Sequence, residues 1–404
     1  MYVHTRNVFA HSRGLMANIF TKDIAVLDVS SRLISAIVGV KKAQSVFGIK
    51  AVVEKEHSGY EQGEWFDADD TRSVAMAVLK EAMRSAESHT KRIFIGVPAE
   101  FTAVVKKDVA ITLDRERRIV DADIDFLLKK GDTFDGSKFA LINSSPISFS
   151  INTSDRLYRD VRGLVASKVV GTVSYILCEK SFTRFFDEIV ASLGFKDVKY
   201  ISTAWAEGIT IFEKEERDDP YVLVDIGYIS SSVVVGRGEG VEFMRSFSLG
   251  GGHISADMCE AMNVDFELAE QARELVDLNL NYQEGSVLVA DADQIICGAD
   301  ASEVVREKLD LFAEIIYDII EQSKVKLPPY APVYLTGEGV ASIRGVKKYL
   351  SSTLGMNVDI VMPKLPGYAK PCNSSKISLL VVAETLSNSK IGGLFKRVIN
   401  GGNL

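Results

Sequence analysis

The feature that most constrains this chain is an internal repeat. Ile24-Ala-Val-Leu-Asp28-Val-Ser-Ser-Arg-Leu-Ile-Ser-Ala-Ile-Val-Gly39 can be laid over Tyr221-Val-Leu-Val-Asp225-Ile-Gly-Tyr-Ile-Ser-Ser-Ser-Val-Val-Val-Gly236 at a constant offset of 197 (28 to 225, 39 to 236). Each copy is an apolar strand ending in Asp, a small-residue turn, a second apolar strand and a Gly. That is the pattern of a buried hairpin. One such hairpin is common to many folds; two in register predict two similar α/β halves around a cleft. A length of 404 residues is also too great for one ordinary core.

Composition narrows the partners. The formal net charge is −8, which argues against a nucleic-acid binder with a basic face. Cys178, Cys259, Cys297 and Cys372 are scattered, with neither CxxC nor Cys/His spacing, so a disulfide framework and a zinc site are not expected. The natural setting is a reducing cytoplasm. No apolar run reaches the ~20 residues of a membrane-spanning helix. Residues 1–22 carry Arg6, Arg13 and Lys22 and no acid, and read as a disordered tail, with Met16 as an alternative start.

Between the hairpins the pattern predicts a helix near Asp70–Ser85, a strand Arg92–Val97, and a β-rich insert with Val104–Leu113, a helix near Asp121–Lys130 and strands Phe139–Ile151 and Val165–Leu177. A helix Ser181–Leu193 follows. After the second hairpin come helices near His253–Met262, Phe266–Leu275 and Ser302–Ser323, a strand Pro332–Thr336 and a helix Ile343–Leu354. In the final stretch Ile391, Leu394, Phe395, Val398 and Ile399 fall on one helical face. Lys390, Lys396 and Arg397 give that stretch its charge, and no acid follows Glu384.

The turns point to phosphate chemistry. A nucleotide's phosphate tail needs close backbone N–H donors, which tight turns of small residues supply. Carboxylates at strand ends can hold Mg²⁺ directly or through its waters. Asp28-Val-Ser30-Ser31 with Arg32, and Asp225-Ile-Gly227, fit that design, one from each half. Thr336-Gly337-Glu338-Gly339 forms a strand-to-helix turn that could approach a ribose or adenine without Cβ clashes. Gly250-Gly251-Gly252 before a helix start could admit phosphate or serve as a hinge; His253 beside it reads as structural.

Together these residues resemble the actin-like ATPases, and among them the bacterial FtsA family. The most specific segment is Phe247-Ser-Leu-Gly-Gly-Gly-His-Ile-Ser-Ala-Asp257, similar to the family's "VGGxHIT-x-D". Ala269-Glu270-Gln-Ala-Arg273 is similar to its "AExLK", and Thr336–Gly339 to its "TGGGA". The resemblance spans roughly residues 24–400. It implies two ribonuclease-H-like lobes around a nucleotide cleft, with an inserted subdomain that actin lacks. The expected divisions are a disordered tail (1–22), a first lobe core (23–98 and 170–200), the insert (99–169), a second lobe core (201–242 and 328–363), its outer subdomain (243–327), a return to the first lobe (364–386), and a polar hinge with an amphipathic tail (387–404).

The resemblance also implies function: an ATP-binding scaffold that polymerises and ties FtsZ filaments to the inner face of the cytoplasmic membrane at midcell. Glu270 and Arg273 would face ribose and adenine, and Asp28 and Asp225 would lie near Mg²⁺ and the phosphates. Ile391, Leu394, Phe395, Lys396, Arg397, Val398 and Ile399 would meet the membrane. Arg306 and Lys308 would meet the acidic FtsZ tail. The departures weigh against turnover. The second phosphate turn, "D-I-G-G-G-T-T-D" in the family, reads Asp225-Ile-Gly-Tyr228-Ile229-Ser-Ser-Ser232 here, Ser35 stands where a Lys often follows, and Glu338 replaces a glycine. Reduced or altered ATP binding with slow or absent hydrolysis is therefore expected. A PilM-like membrane-assembly scaffold, and a small-molecule kinase on the same fold, are the alternatives.

Overall fold

The computed structural model describes residues 23–41, 47–291 and 294–388. The N-terminal tail and the basic stretch 390–399 lie outside them. Two five-stranded sheets share one strand order. The first runs Asp197–Ser202, Arg92–Val97, Asp23–Val29, Leu33–Lys41, Phe47–Glu56; the second runs Val358–Ile360, Val333–Thr336, Tyr221–Ile226, Ser231–Arg237, Gly240–Phe247.

The sequence offset survives as pairing register. Asp28 faces Ser35 in the first hairpin and Asp225 faces Ser232 in the second. On the other side, Leu27 pairs with Ile95 and Val224 with Leu335, both in parallel. Each second strand meets its third with a register shift, at Val38/Gly39 and at Val235/Gly236. Such a bulge bends and twists the strand locally, so the halves repeat their curvature as well as their topology.

Both hairpins read as near-continuous apolar runs because both sheet faces are covered. Helices Ala68–Ser85 and Lys180–Ser192 cover one face of the first sheet. Helices Gly251–Met262, Phe266–Leu275, Gly298–Ser323 and Val346–Leu354 cover the outer face of the second. Between the sheets lie two helices, Thr203–Ile211 and Ser374–Asn388. Trp205, Ile209, Leu379 and Leu380 from these helices pack in one cluster with Ile24 and Val26 of the first sheet and Leu223 and Val234 of the second.

The insert is a three-stranded antiparallel sheet, Thr102–Arg118, Val165–Glu179 and Phe139–Ile151, with helix Asp121–Lys130 against it. Its central strand runs unbroken across the expected boundary at 169/170, pairing Cys178 with Thr102. Two helices start elsewhere than expected, at Gly298 rather than Ser302 and at Val346 rather than Ile343. The sequence pattern passes over both middle helices. Thr203–Ile211 is buried at every position except Thr210, so it carries no alternation of apolar and polar faces from which a helical period could be read.

The middle layer gives a first prediction. Leu380 is fully buried between the two sheets. Leu380→Ala should cost about 2–5 kcal/mol through lost burial and the cavity left behind. Urea unfolding followed by tryptophan fluorescence checks this, Trp205 lying in the same cluster. A loss under about 1 kcal/mol, below the range for buried Leu, would show that this layer does not couple the lobes.

Candidate functional site

Both repeat turns reach one cleft between the lobes. Asp28, Ser30 and Ser31 line it from the first lobe, Asp225, Gly227 and Glu338 from the second, and Glu207, Ser375 and Lys376 from the middle helices. Its volume is about 90 Å³, well below the ~300–1,000 Å³ of ordinary ligand pockets.

The turns hydrogen-bond to each other. Ser31 Oγ accepts the backbone N–H of Ile229 at 3.0 Å and, more weakly, that of Ser230 at 3.4 Å. Donors of the kind a phosphate would need are thus taken by a serine from the opposite lobe. Ile229 lies over the first turn. A Cβ at Gly59, whose φ is +88°, would come 3.0 Å from Ile229 Cδ1 and 2.5 Å from the Ser31 carbonyl oxygen.

The glycine run is used in the same way. A side chain at Gly250 would collide with the Tyr228 carbonyl, one at Gly251 with the backbone of Gly339, and one at Gly252 with the Tyr228 ring. Gly251 N–H donates to Gly227 O at 2.9 Å, Gly252 N–H to Tyr228 O at 2.8 Å and Gly339 N–H to Ile226 O at 2.8 Å. The Gly250 N–H donates to His253 Nδ1 at 3.0 Å, so this histidine caps its own helix, as expected. These glycines admit the protein's own backbone and a tyrosine ring.

Charged side chains complete the closure. The Arg32 guanidinium sits 4.4 Å from the centre of the Tyr228 ring, a cation–π contact. It also donates twice to Glu56 Oε1, at 3.0 and 2.7 Å, and lies 3.7 Å from Glu270. Arg273 is buried; it donates to Gly339 O at 2.7 Å and to Glu270 Oε2 at 3.2 Å. Burial pushes the Glu270 carboxyl up, but Arg273, Ser255 and Arg32 outweigh it and hold it below its ordinary range. Glu270 and Arg273, expected to face ribose and adenine, bind each other and the glycine turn.

Deeper in, the cleft is acidic. Asp28 Oδ2 accepts from Ser375 Oγ at 2.6 Å, while its Oδ1 has no hydrogen-bond partner. Glu207 is 1% exposed and its Oε1 is likewise unpartnered. Burial raises the pKa of Asp28, Glu207, Asp225 and Glu338 alike. For Asp225 burial acts first, Glu338 and Asp28 add repulsion, and the carboxyl rises to about 7. Lys376 is the cation lining this space, and it pairs with Glu54, which also accepts from Ser35. Ser35, where a lysine is usual in the family, thus has a lysine from the C-terminal helix at its side.

In this arrangement a phosphate tail does not fit: the space is small, the turn donors are occupied and the walls are acidic. Among the described residues no three His, Cys, Asp or Glu side chains form a group that could hold a metal ion. Asp28 and Asp225 do share one cleft, as the repeat predicted, without forming a ready Mg²⁺ site.

Two expected partner residues lie elsewhere. Lys308 Nζ is 2.5 Å from Asp257 and its side chain is 15% exposed. Arg306 donates to Leu278 O at 2.8 Å and stacks on Tyr349. Both serve the packing of their own lobe. Sequence reasoning missed Glu207 and Lys376, which sit on the two middle helices. A glutamate within the apolar run Thr203–Ile211 was the available signal.

Two sheets of one strand order, closing on a cleft at paired Asp turns, define the class: an actin-like, two-lobed α/β fold. A PilM–PilN type IV pilus biogenesis complex superposes with a TM-score of 0.58 at 15% identity, covering 89% of this chain and 98% of the other. MreB5 of Spiroplasma citri bound to ADP gives 0.54 at 10% identity, covering 91% and 99%. Within that class the chain is similar in sequence to FtsA. The family model "Cell division protein FtsA" matches residues 222–378. The cell division protein FtsA of Staphylococcus epidermidis is 24% identical over 365 residues, 88% of this chain and 77% of that protein. That of Bacillus subtilis is 21% identical over 378 residues, covering 91% and 84%.

The raised Asp225 carboxyl has a pH signature. A folded-state pKa of about 7 against the ordinary 3.8 means that the folded protein holds this proton more tightly than the unfolded chain. The resulting stability is complete below pH 3.8, declines as pH rises and is lost above about 7. Asp225→Asn, neutral throughout, should therefore stabilise the protein at pH 8 by an amount on the order of 1–4 kcal/mol, and at pH 5 by about a third as much. Thermal melts of both proteins at the two pH values test this. An equal change at both would remove the titration from the explanation.

Proposed function

We propose that this chain is an FtsA-like cell-division scaffold. It assembles with itself and links FtsZ filaments to the inner face of the cytoplasmic membrane, at midcell in dividing cells. ATP–Mg²⁺ binds weakly and is hydrolysed slowly or not at all. The observation that carries this reading is the Ser31 bond to the Ile229 and Ser230 amides, in a chain similar to FtsA over nearly its full length. The lobes keep the arrangement of their class, yet protein–protein contacts hold them where a nucleotide would be expected to act. A scaffold needs its two lobes at a fixed angle, and Ser31, Arg32 and Tyr228 supply that without a ligand.

Membrane attachment in this reading rests on residues 390–399, whose five apolar side chains and three cations make a weak interfacial anchor. Such an anchor gains from many copies acting together in a filament. The basic tail also favours this reading over a PilM-like scaffold, and the closed, acid-lined cleft disfavours a small-molecule kinase.

Calorimetry with ATP and Mg²⁺ tests the cleft. The wild-type chain should bind weakly. Tyr228→Gly combined with Ile229→Gly, which restores two glycines and removes the Arg32 stack, should tighten binding at least about tenfold, or 1.4 kcal/mol. Tight wild-type binding with steady phosphate release would reject the proposal for the cleft. A fluorescent fusion tests the scaffold itself: a ring at midcell supports it, and an even cytoplasmic signal opposes it.

A further inference from the structure

A groove that shares no lining residue with the Asp-turn cleft lies on the outer side of the second lobe, between helix Gly251–Met262, helix Gly298–Ser323 and the hairpin Val287–Asp291/Gln294–Cys297. Its volume is about 440 Å³, several times that of the cleft. Met262, Ile295, Cys297 and Val304 make it apolar. The hairpin's pleat explains why: Ile296 is buried in the lobe's core, so Ile295 and Cys297 turn to the opposite face. Ile295 is left 56% exposed. Beside these stand Asp300, Glu303 and Glu307. With Val304 they fall at i, i+3, i+4 and i+7 on the long helix, one face of it. All three acids are exposed, and among the described residues none has an ion-pair partner. The nearby Lys308 is neutralised by Asp257.

An apolar floor with an acidic wall fits a short amphipathic segment that is apolar on one side and basic on the other. The chain contains one. Residues 390–399 carry apolar side chains at 391, 394, 395, 398 and 399, cations at 390, 396 and 397, and no acid. The lengths agree: nine residues would rise about 12 Å if bound as a helix, and positions 300–307 of the long helix rise about 10 Å.

We propose that this groove binds the basic C-terminal segment of a second copy of the chain. The same copy cannot supply it. Helix Ser374–Asn388 packs between the two sheets, whereas the groove belongs to the helices on the outer face of the second sheet. The second sheet stands between them, and only Ser389 and Lys390 separate Asn388 from Ile391. The three Cα–Cα steps from Asn388 to Ile391 span at most about 11 Å, less than the roughly 20 Å of the two packing layers, middle helices to sheet and sheet to outer helices, that lie on the way. The contact joins unlike surfaces, so repeating it generates a chain of molecules rather than a closed pair. It also sets the groove and anionic lipid in competition for one segment.

The test uses a fluorescent peptide of residues 388–404 and the full chain, read by anisotropy at 50 and 300 mM salt. Saturable binding should weaken at the higher salt. Glu303→Lys with Glu307→Lys in the full chain should weaken it at least tenfold, and a peptide carrying Lys396→Glu and Arg397→Glu should regain affinity for that variant. Both substitutions are on exposed positions, and an unchanged thermal melt confirms folding. Equal binding to wild type and the double-lysine variant, or no saturable binding to either, overturns the proposal. This inference is separable from the scaffold reading: a peptide that pellets with anionic vesicles but ignores the groove rejects the groove alone. Full chain that fails to reach midcell while the peptide still binds rejects the scaffold alone.

Discussion

The closed form of this molecule depends on one hydroxyl. Ser31 Oγ stands between the two repeat turns and accepts main-chain N–H groups from the opposite lobe. An N–H withdrawn from water must find an acceptor or destabilise the fold by about 1–3 kcal/mol. In a nucleotide-gripping turn that acceptor is a phosphate oxygen. Here it is a side chain, always present at full effective concentration. Once those donors are met from within, the rest of the closure is sterically consistent. Ile229 can lie on the first turn, Tyr228 can fill the space beside Gly252, and Arg32 can cap the ring while answering Glu56 and Glu270.

The repeat makes this closure possible and the middle layer makes it rigid. Both lobes present Asp at the same register position of the same hairpin, with the same bulge beyond it. The turns therefore arrive face to face. Helices Thr203–Ile211 and Ser374–Asn388 bury side chains against both sheets at once, so a rotation of one lobe on the other disturbs close-packed contacts, which deform little. The second of these helices also carries Ser375 and Lys376 to the first hairpin. The C-terminal helix Ser374–Asn388 is thus part of the site.

Much of this was legible in the sequence. The hairpins, their offset, the insert's strands and most outer helices follow from period and punctuation. So do the Asp pair and the departures at Tyr228, Ile229 and Glu338. What was hidden has physical reasons. Ser31 looks like a phosphate-turn serine whether it meets a phosphate or Ile229, because residue type does not say which acceptor occupies the turn. The roles of Gly250–Gly252 were ambiguous because glycine allows close approach to backbone as readily as to ligand. Glu207 and Lys376 ride on helices buried on most sides, where no face stands out from the pattern. Arg306 and Lys308 read as free cations because sequence does not reveal an Asp257 or a Leu278 carbonyl brought in by the fold.

The acids of the cleft carry the argument one step further. Asp28, Glu207, Asp225 and Glu338 are all pushed toward their protonated forms by burial, and each neighbour that ionises makes ionisation harder for the rest. Opening the lobes would let water in and let these groups ionise, so closure takes up protons and opening releases them. A polyphosphate entering the open cleft would then meet like charge, with Lys376 already engaged by Glu54. The carboxylates that burial keeps neutral in the closed cleft would be charged in an open one. Sequence changes at the second turn and charge placement deeper in therefore act in one direction: both favour lobes held together by the protein itself.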